Sequence, residues 1–389
     1  MKLFRTLSTR RLIVLTLVAL AVAVGGTAIA VAANGGSGPT PPPKPVAQAI
    51  HDALAAPDAA GITAKVRFTN RLLPSGSFLG GNASALISGA TGRLWLTNDG
   101  RGRLELQSDA GDVQIVWSKN KVTAYDASSN TVYAFDIPAA TTTPSSPDKT
   151  STPTLTQIGD FLSKLGEHAA VSGAQPTDVA RRPAYSVKVS PKHDGGLLGY
   201  AELAWDAEQG VPLRVAVYAQ GSSKPVLELA TTQVSYGAVP SSAVEVAPPA
   251  GAKTVDLSSP SKPETGNENS SAATGLAAVQ SAVDFPVVAP DTLVGLPRQD
   301  IRTVKTNNAL VIYGHGLGAI VILERKADAK TQQDGPMAAL PSVSLDGLTG
   351  HELATQLGTA IEWQRNGVSF VLAGSLPPAA AESAARALK

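Results

Sequence analysis

The sequence predicts an α+β protein whose bulk is antiparallel sheet, on three observations. Apolar and polar residues alternate through "ITAKVRF", "GRLWLTN", "GRLELQS" and "DVQIVW", the period of two that turns one face of a strand to a core and the other to water. The joints between these runs, "NDGRG", "DAGD" and "DASSN", carry the Gly, Asp and Asn that tight turns use. Helical spacing is confined to short stretches, beginning with Val46, Ile50 and Leu54 at i, i+4 and i+8. With 389 residues, 43% hydrophobic and 16% charged, the chain is long enough for two domains.

From the start of the chain, Lys2, Arg5, Arg10 and Arg11 precede an uncharged apolar run over residues 12–33. As a helix this run reaches about 33 Å, against the ~30 Å of a bilayer's hydrocarbon. Residues 1–33 are therefore expected to be a cytoplasmic basic segment and a single transmembrane anchor, with the body on the extracytoplasmic side of the cell membrane. A cleaved signal peptide is the alternative, since "AIAVAA" offers the small residues of a cleavage site, and the body is then secreted. Residues 34–45, "NGGSGPTPPPKP", mix Gly and Ser with stiff proline and read as a stalk. A short amphipathic helix then ends near Pro57, and the strands begin at Ile62.

Residues 112–135 read as three short strands, and the Thr/Ser/Pro-rich residues 139–154 as a mobile loop. Leu155, Ile158, Leu162 and Leu165 next share one helix face, before strands resume in "AYSVKVS", "YAELAWD", "PLRVAVYA" and "PVLELATTQVSY". Residues 257–271 are polar, hold prolines and read as a linker. Residues 272–389 are expected to form a small α+β domain: a weak helix, hairpins in "ALVIYGHGLGAIVILER" and "AIEWQRNGVSFVLAGS", and an alanine-rich helix.

Several chemistries are excluded. Lys plus Arg (32) balances Asp plus Glu (31), so no field draws a nucleic acid to the chain. Without cysteine there is no disulfide, no thiolate metal site and no thiol-linked lipid. The histidines (His51, His168, His193, His315, His351) are scattered, and "HELAT" lacks the second His of a zinc-protease helix. "GHGLG" sits between strands, where a phosphate loop needs a helix N-terminus. No Gly-x-Ser-x-Gly elbow occurs. No catalytic residue, metal or cofactor is expected, and the protein reads as non-enzymatic.

Four stretches in order, "GRLWLTNDGRGRLELQ", "VWSKNKVTAYDASSNTVYAF", "LAWDAEQGVPLRVAVYAQGSSKPVLELATTQVSYG" with its Asp-x-x-x-Gly-x-Pro-Leu pattern, and "VAPPAGAKTVDL", resemble the bacterial lipoprotein-carrier superfamily of LolA-like fold, which also holds regulators of anti-sigma factors. The resemblance covers residues 46–256. It implies a curved antiparallel half-barrel sheet wrapped around helices, with an inner apolar cavity for acyl chains. Residues 272–389 resemble a small domain of extracytoplasmic proteins of Gram-positive bacteria through "VDFPVVAPDTL" and "EWQRNGVSFVLAGS". Unlike the diffusing or lipid-anchored carriers, this chain is expected to be tethered by its helix and to carry an extra domain.

Strand parity assigns sides, because residues i, i+2 and i+4 share a face. Leu94 and Leu96, Leu104 and Leu106, and Val113, Ile115 and Trp117 are expected to point one way, and the resemblance implies that they line the acyl cavity. Trp95, Tyr125, Tyr133 and Phe135 are expected on the other side. The plain alternative is that the aliphatic set is packed core. Two functions follow. One is a membrane-tethered extracytoplasmic binding protein holding a lipid or lipoprotein acyl chain. The other is an envelope regulatory or scaffolding protein acting through contacts with another envelope protein. A roomy apolar pocket supports the first, a filled core the second.

Overall fold

The computed structural model describes residues 38–72, 84–137, 152–192, 196–257, 273–304, 307–328 and 337–389. The expected anchor, the start of the stalk, the 139–154 loop up to residue 151 and the linker past Leu257 lie outside them. Among the described residues no helix is long and apolar enough to cross a membrane. These residues fall into two compact units. One holds those of 38–71, 84–192 and 199–257, the other those of 273–389 with Leu72 and 196–198.

The first unit opens with α1 (Val46–Ala55), which buries Ala49, Ile50, Ala53 and Leu54 on one face. Strand β1 (Gly61–Asn70) follows, then the single turn α2 (Ala85–Ser88), whose N-cap Ser84 accepts the N–H of Leu86. The chain next meanders through β2 (Ala90–Thr97), β3 (Gly102–Ser108), β4 (Gly111–Trp117), β5 (Lys121–Asp126) and β6 (Thr131–Asp136), each antiparallel to the last. Helix α3 (Leu155–His168) starts on a capping box, in which Thr154 and Gln157 satisfy each other's backbone N–H. After it come β7 (Ala169–Val171), β8 (Gln175–Val179), β9 (Arg182–Pro191), β10 (Leu198–Asp206), β11 (Pro212–Ala219), β12 (Pro225–Tyr236) and β13 (Lys253–Asp256).

Strand β12 returns to β1, giving the order β13-β6-β5-β4-β3-β2-β1-β12-β11-β10-β9-β7, with β8 also on β9. Its register against β1 slips between Lys65 and Val66, a bulge that bends the ribbon. Helix α2 lies over β1, β3 and β4, whereas α1 and α3 pack on each other and α3 on β7. Tyr185 of β9 donates to the carbonyl of Pro42 at 2.6 Å, and Lys44 sits over its ring. Gly210 (φ +65) is pressed on the carbonyl of Ala53, where a Cβ would collide.

The Asp-x-x-x-Gly pattern proves to be the knot of the β10–β11 hairpin. Asp206 is fully buried, and its carboxylate accepts from Arg182 (2.8 Å), Tyr236 (2.7 Å) and the N–H groups of Glu208 (2.9 Å) and Gln209 (3.0 Å). Burial pushes this carboxyl up, but the four donors outweigh it and hold it below its ordinary value.

The second unit contains α4 (Leu276–Ala282), β14 (Thr292–Leu293), β15 (Leu296–Thr303), β16 (Asn308–Tyr313), β17 (Ile320–Lys326), β18 (Ser342–Leu345), β19 (Leu348–Thr355), β20 (Gly358–Arg365), β21 (Val368–Gly374) and α5 (Pro378–Ala387). They form one sheet of order β14-β15-β16-β17-β21-β20-β19-β18. Both expected hairpins are present, as β16–β17 and β20–β21. The second turns at Asn366 (φ 51) and Gly367 (φ 78), the left-handed pair of a tight hairpin. Helices also lie where they were expected, as α4 and α5, and among the described residues the rest of the unit is mostly sheet. Strands β15 and β19 escaped the pattern because they hold few apolar residues; "HELAT", read for a metal motif, belongs to β19. The core gathers Val311, Tyr313, Ile320, Ile322, Trp363, Phe370 and Leu372.

Candidate functional site

Register, rather than parity within each strand, decides which residues of the β1–β6 ribbon meet. One row runs Val66, Gly92, Leu106, Val113, Asp126 and Thr131. The next runs Ala64, Leu94, Leu104, Ile115, Ala124 and Tyr133. A third runs Ile62, Leu96, Gly102, Trp117, Val122 and Phe135. Directly opposed residues share a side of the sheet, so Leu94, Leu96, Leu104, Leu106, Val113, Ile115 and Trp117 stand on one face.

That face is filled unevenly. In its middle, Leu106 and Val113 are each 2% exposed and pack with Ala64, Val66 and the fully buried Ala85 of α2. Leu94, Leu104 and Ile115 are half-buried against the same cluster. Leu96 joins a neighbouring cluster with Ile62, Ala184, Val211 and Leu213. Two glycines make room: a side chain at Gly92 would run into the Glu105 carbonyl and crowd Leu106, and one at Gly102 would enter the indole of Trp117. Toward β6, among the described residues, the cover ends: Tyr133 is 38% and Phe135 42% exposed.

The expected side for Tyr133 and Phe135 is thereby corrected. Asp126 pairs with Thr131 across the turn, which carries residues 131, 133 and 135 onto the face of 122, 124 and 126. Trp95 and Tyr125 do lie on the other side, in rows with Arg103 and Val116, and with Gln114 and Val132. There the Arg103 guanidinium lies 5.1 Å from the Trp95 ring centroid, pairs with Glu105 and donates to the Ala243 carbonyl at 3.3 Å. Arg101 likewise bonds Ser241 and Glu245. The closing segment thus crosses the outer face before β13 pairs parallel with β6. Val132 and Ala134, also on the outer face, are buried.

The site is chemically plain. Its open part combines Trp117, Val122, Tyr133 and Phe135, a surface that desolvates apolar groups and offers the Tyr133 hydroxyl. Among the described residues no cluster of His, Asp and Glu could hold a metal. His351 is turned to the Leu340 carbonyl at 3.2 Å, and "GHGLG" forms the β16–β17 turn with no helix after it.

The chain is similar to MucB. The crystal structure of MucB in complex with MucA(peri) matches over 85% of this chain and 93% of that one, at 15% identity and a TM-score of 0.40. The Pseudomonas aeruginosa MucA/MucB complex matches over 88% of this chain and 96% of that one, at 15% identity and a TM-score of 0.41. An uncharacterized conserved protein from Thermus thermophilus matches over 54% of this chain and 96% of that one, at 11% identity and a TM-score of 0.32. No family model and no curated protein matches the chain.

Proposed function

We propose that this is a non-catalytic extracytoplasmic protein that regulates or scaffolds another envelope protein by receiving an apolar stretch of it on the open end of the β4–β6 face. The observation that carries this reading is the uneven filling of one continuous face. Its middle is closed by the chain's own core at Leu106 and Val113, while Tyr133 and Phe135 of β6 stay exposed, Phe135 in one row with Val122 and Trp117. An acyl chain is held best where walls surround it. An open strip with aromatic side chains is the composition of a protein contact, where Tyr, Trp and Phe are enriched. The export of the body is supported by the basic residues ahead of the apolar run at 12–33.

The test compares the native chain with Tyr133→Asp and Phe135→Asp, each isolated from its host's envelope with bound polypeptide and bound lipid quantified. Both positions face water, so both variants are expected to fold. Partner polypeptide is expected to fall at least tenfold, the effect of about 1.4 kcal/mol at a buried aromatic anchor. Unchanged polypeptide recovery, or loss of lipid alone, returns the acyl-chain function as the better reading.

A further inference from the structure

In the second unit, residues 284–291, "DFPVVAPD", cross the sheet as a strap held mainly by side chains, with one backbone bond from the Arg298 N–H to the Asp291 carbonyl at 2.8 Å. The Asn307 amide oxygen accepts the N–H of Asp284 at 2.9 Å. Gln280 of α4 donates to the Phe285 carbonyl (3.0 Å) and accepts the N–H of Val287 (2.9 Å). Arg298 of β15 donates to the Ala289 carbonyl and to the Asp291 carboxylate. The middle of the strap is tied by Glu324 of β17, whose Oε2 accepts the N–H of Val288 at 2.9 Å. Two residues of the strap are prolines, with no N–H to tie.

The Glu324 tie differs from the others. Its carboxyl is fully buried, standing between Ala309 and Phe370 in the sheet, and Oε1 has no partner among the described residues. The groups around it do not offset a charge. Phe370 of β21, Gln280 of α4 and Val288 of the strap cannot ionise. Lys326, next on the same side of β17, is committed to Asp284 at 2.9 Å. Arg298 is committed to Asp291 at 2.8 Å, and Tyr313 of β16, itself buried, adds only a neutral hydroxyl.

We propose that Glu324 is the latch of a strap that opens on ionisation: the neutral carboxyl keeps residues 284–291 on the sheet, and the carboxylate frees them to let water in, uncovering the core beneath Phe285 and Ala289. Burial supports the direction, pushing the Glu324 carboxyl up to about 7 from 4.5. Opening the strap costs less than unfolding the sheet, since its ties other than Glu324 are part-buried or exposed and few beside the sheet's own ladders. If the open form titrates as an ordinary carboxyl, the open fraction rises about thirtyfold between about pH 5.5 and about pH 8.5.

Hydrogen exchange read by mass spectrometry on the full chain, corrected for the intrinsic pH dependence of exchange, tests this. Peptides covering 284–291 are expected to lose about thirtyfold in protection over that pH range, with β20 and β21 unchanged. Glu324→Gln and Glu324→Leu, whichever keeps the native circular dichroism, are expected to show no such loss. Equal protection of 284–291 at both pH values in the native chain, the same loss in a variant, or a matching loss in β20 and β21 overturns the proposal.

Discussion

Asp206 and Glu324 are both fully buried carboxyls with opposite consequences, because one is ringed by donors and the other accepts a single N–H. Asp206 is held below its ordinary value, so it stabilises the fold above about pH 4 and that contribution disappears as pH falls through its depressed titration. Asp206→Ala is expected to cost ~3–5 kcal/mol at neutral pH, shrinking in acid, as read by urea unfolding across pH. For Glu324 the sign reverses. The folded state keeps a proton that the unfolded chain releases, so stability falls as pH rises from 4.5 to about 7 and then levels. Glu324→Gln is expected to be the more stable chain at about pH 8.5, by up to ~3 kcal/mol, and equal to the native chain in acid. A native chain whose stability is flat between pH 4.5 and 7 would show that the carboxyl is hydrated. On the apolar face, Leu106→Arg buries an unpaired charge and is expected to unfold the first unit, a loss of cooperative near-ultraviolet signal.

Among the elements, those with strong local signals were legible and those made by distant pairing were not. The capping box of α3 is such a local signal, and Thr154→Ala is expected to cost ~1 kcal/mol in thermal unfolding. Alternation located β1 to β4 and β9 to β12, and the Asn-Gly pair located the β20–β21 turn. Strand β13 carries no comparable pattern, since four residues with one half-buried valine become a strand only by pairing parallel with β6. Strands β15 and β19 are mostly half-exposed, so their period is faint. The faces of Tyr133 and Phe135 are not legible in the sequence for a related reason. A residue's side depends on the register set by the turn before its strand, and the "DASSN" turn fixes that register through the pairing of Asp126 with Thr131. The aliphatic residues of β2 to β4 needed only their own parity and the neighbouring rows.

For the molecule as a whole, two compact units follow an apolar run that lies outside the described residues. A reporter joined after Pro45 is expected to be active only in a form that reads export, and a cytoplasmic signal would reverse the proposed topology. The function was legible as a choice between two kinds of apolar ligand and no further, because alternation marks a hydrophobic face without saying whether the chain fills it. The filled middle and open end of that face favour a polypeptide. A photo-crosslinking amino acid in place of Phe135, activated in the intact chain in its host cell, tests this most directly. Adducts heavier by the mass of a polypeptide, lost when Tyr133→Asp is added, are the expected result; adducts of lipid mass alone, or the same polypeptide adducts with Tyr133→Asp present, would contradict it.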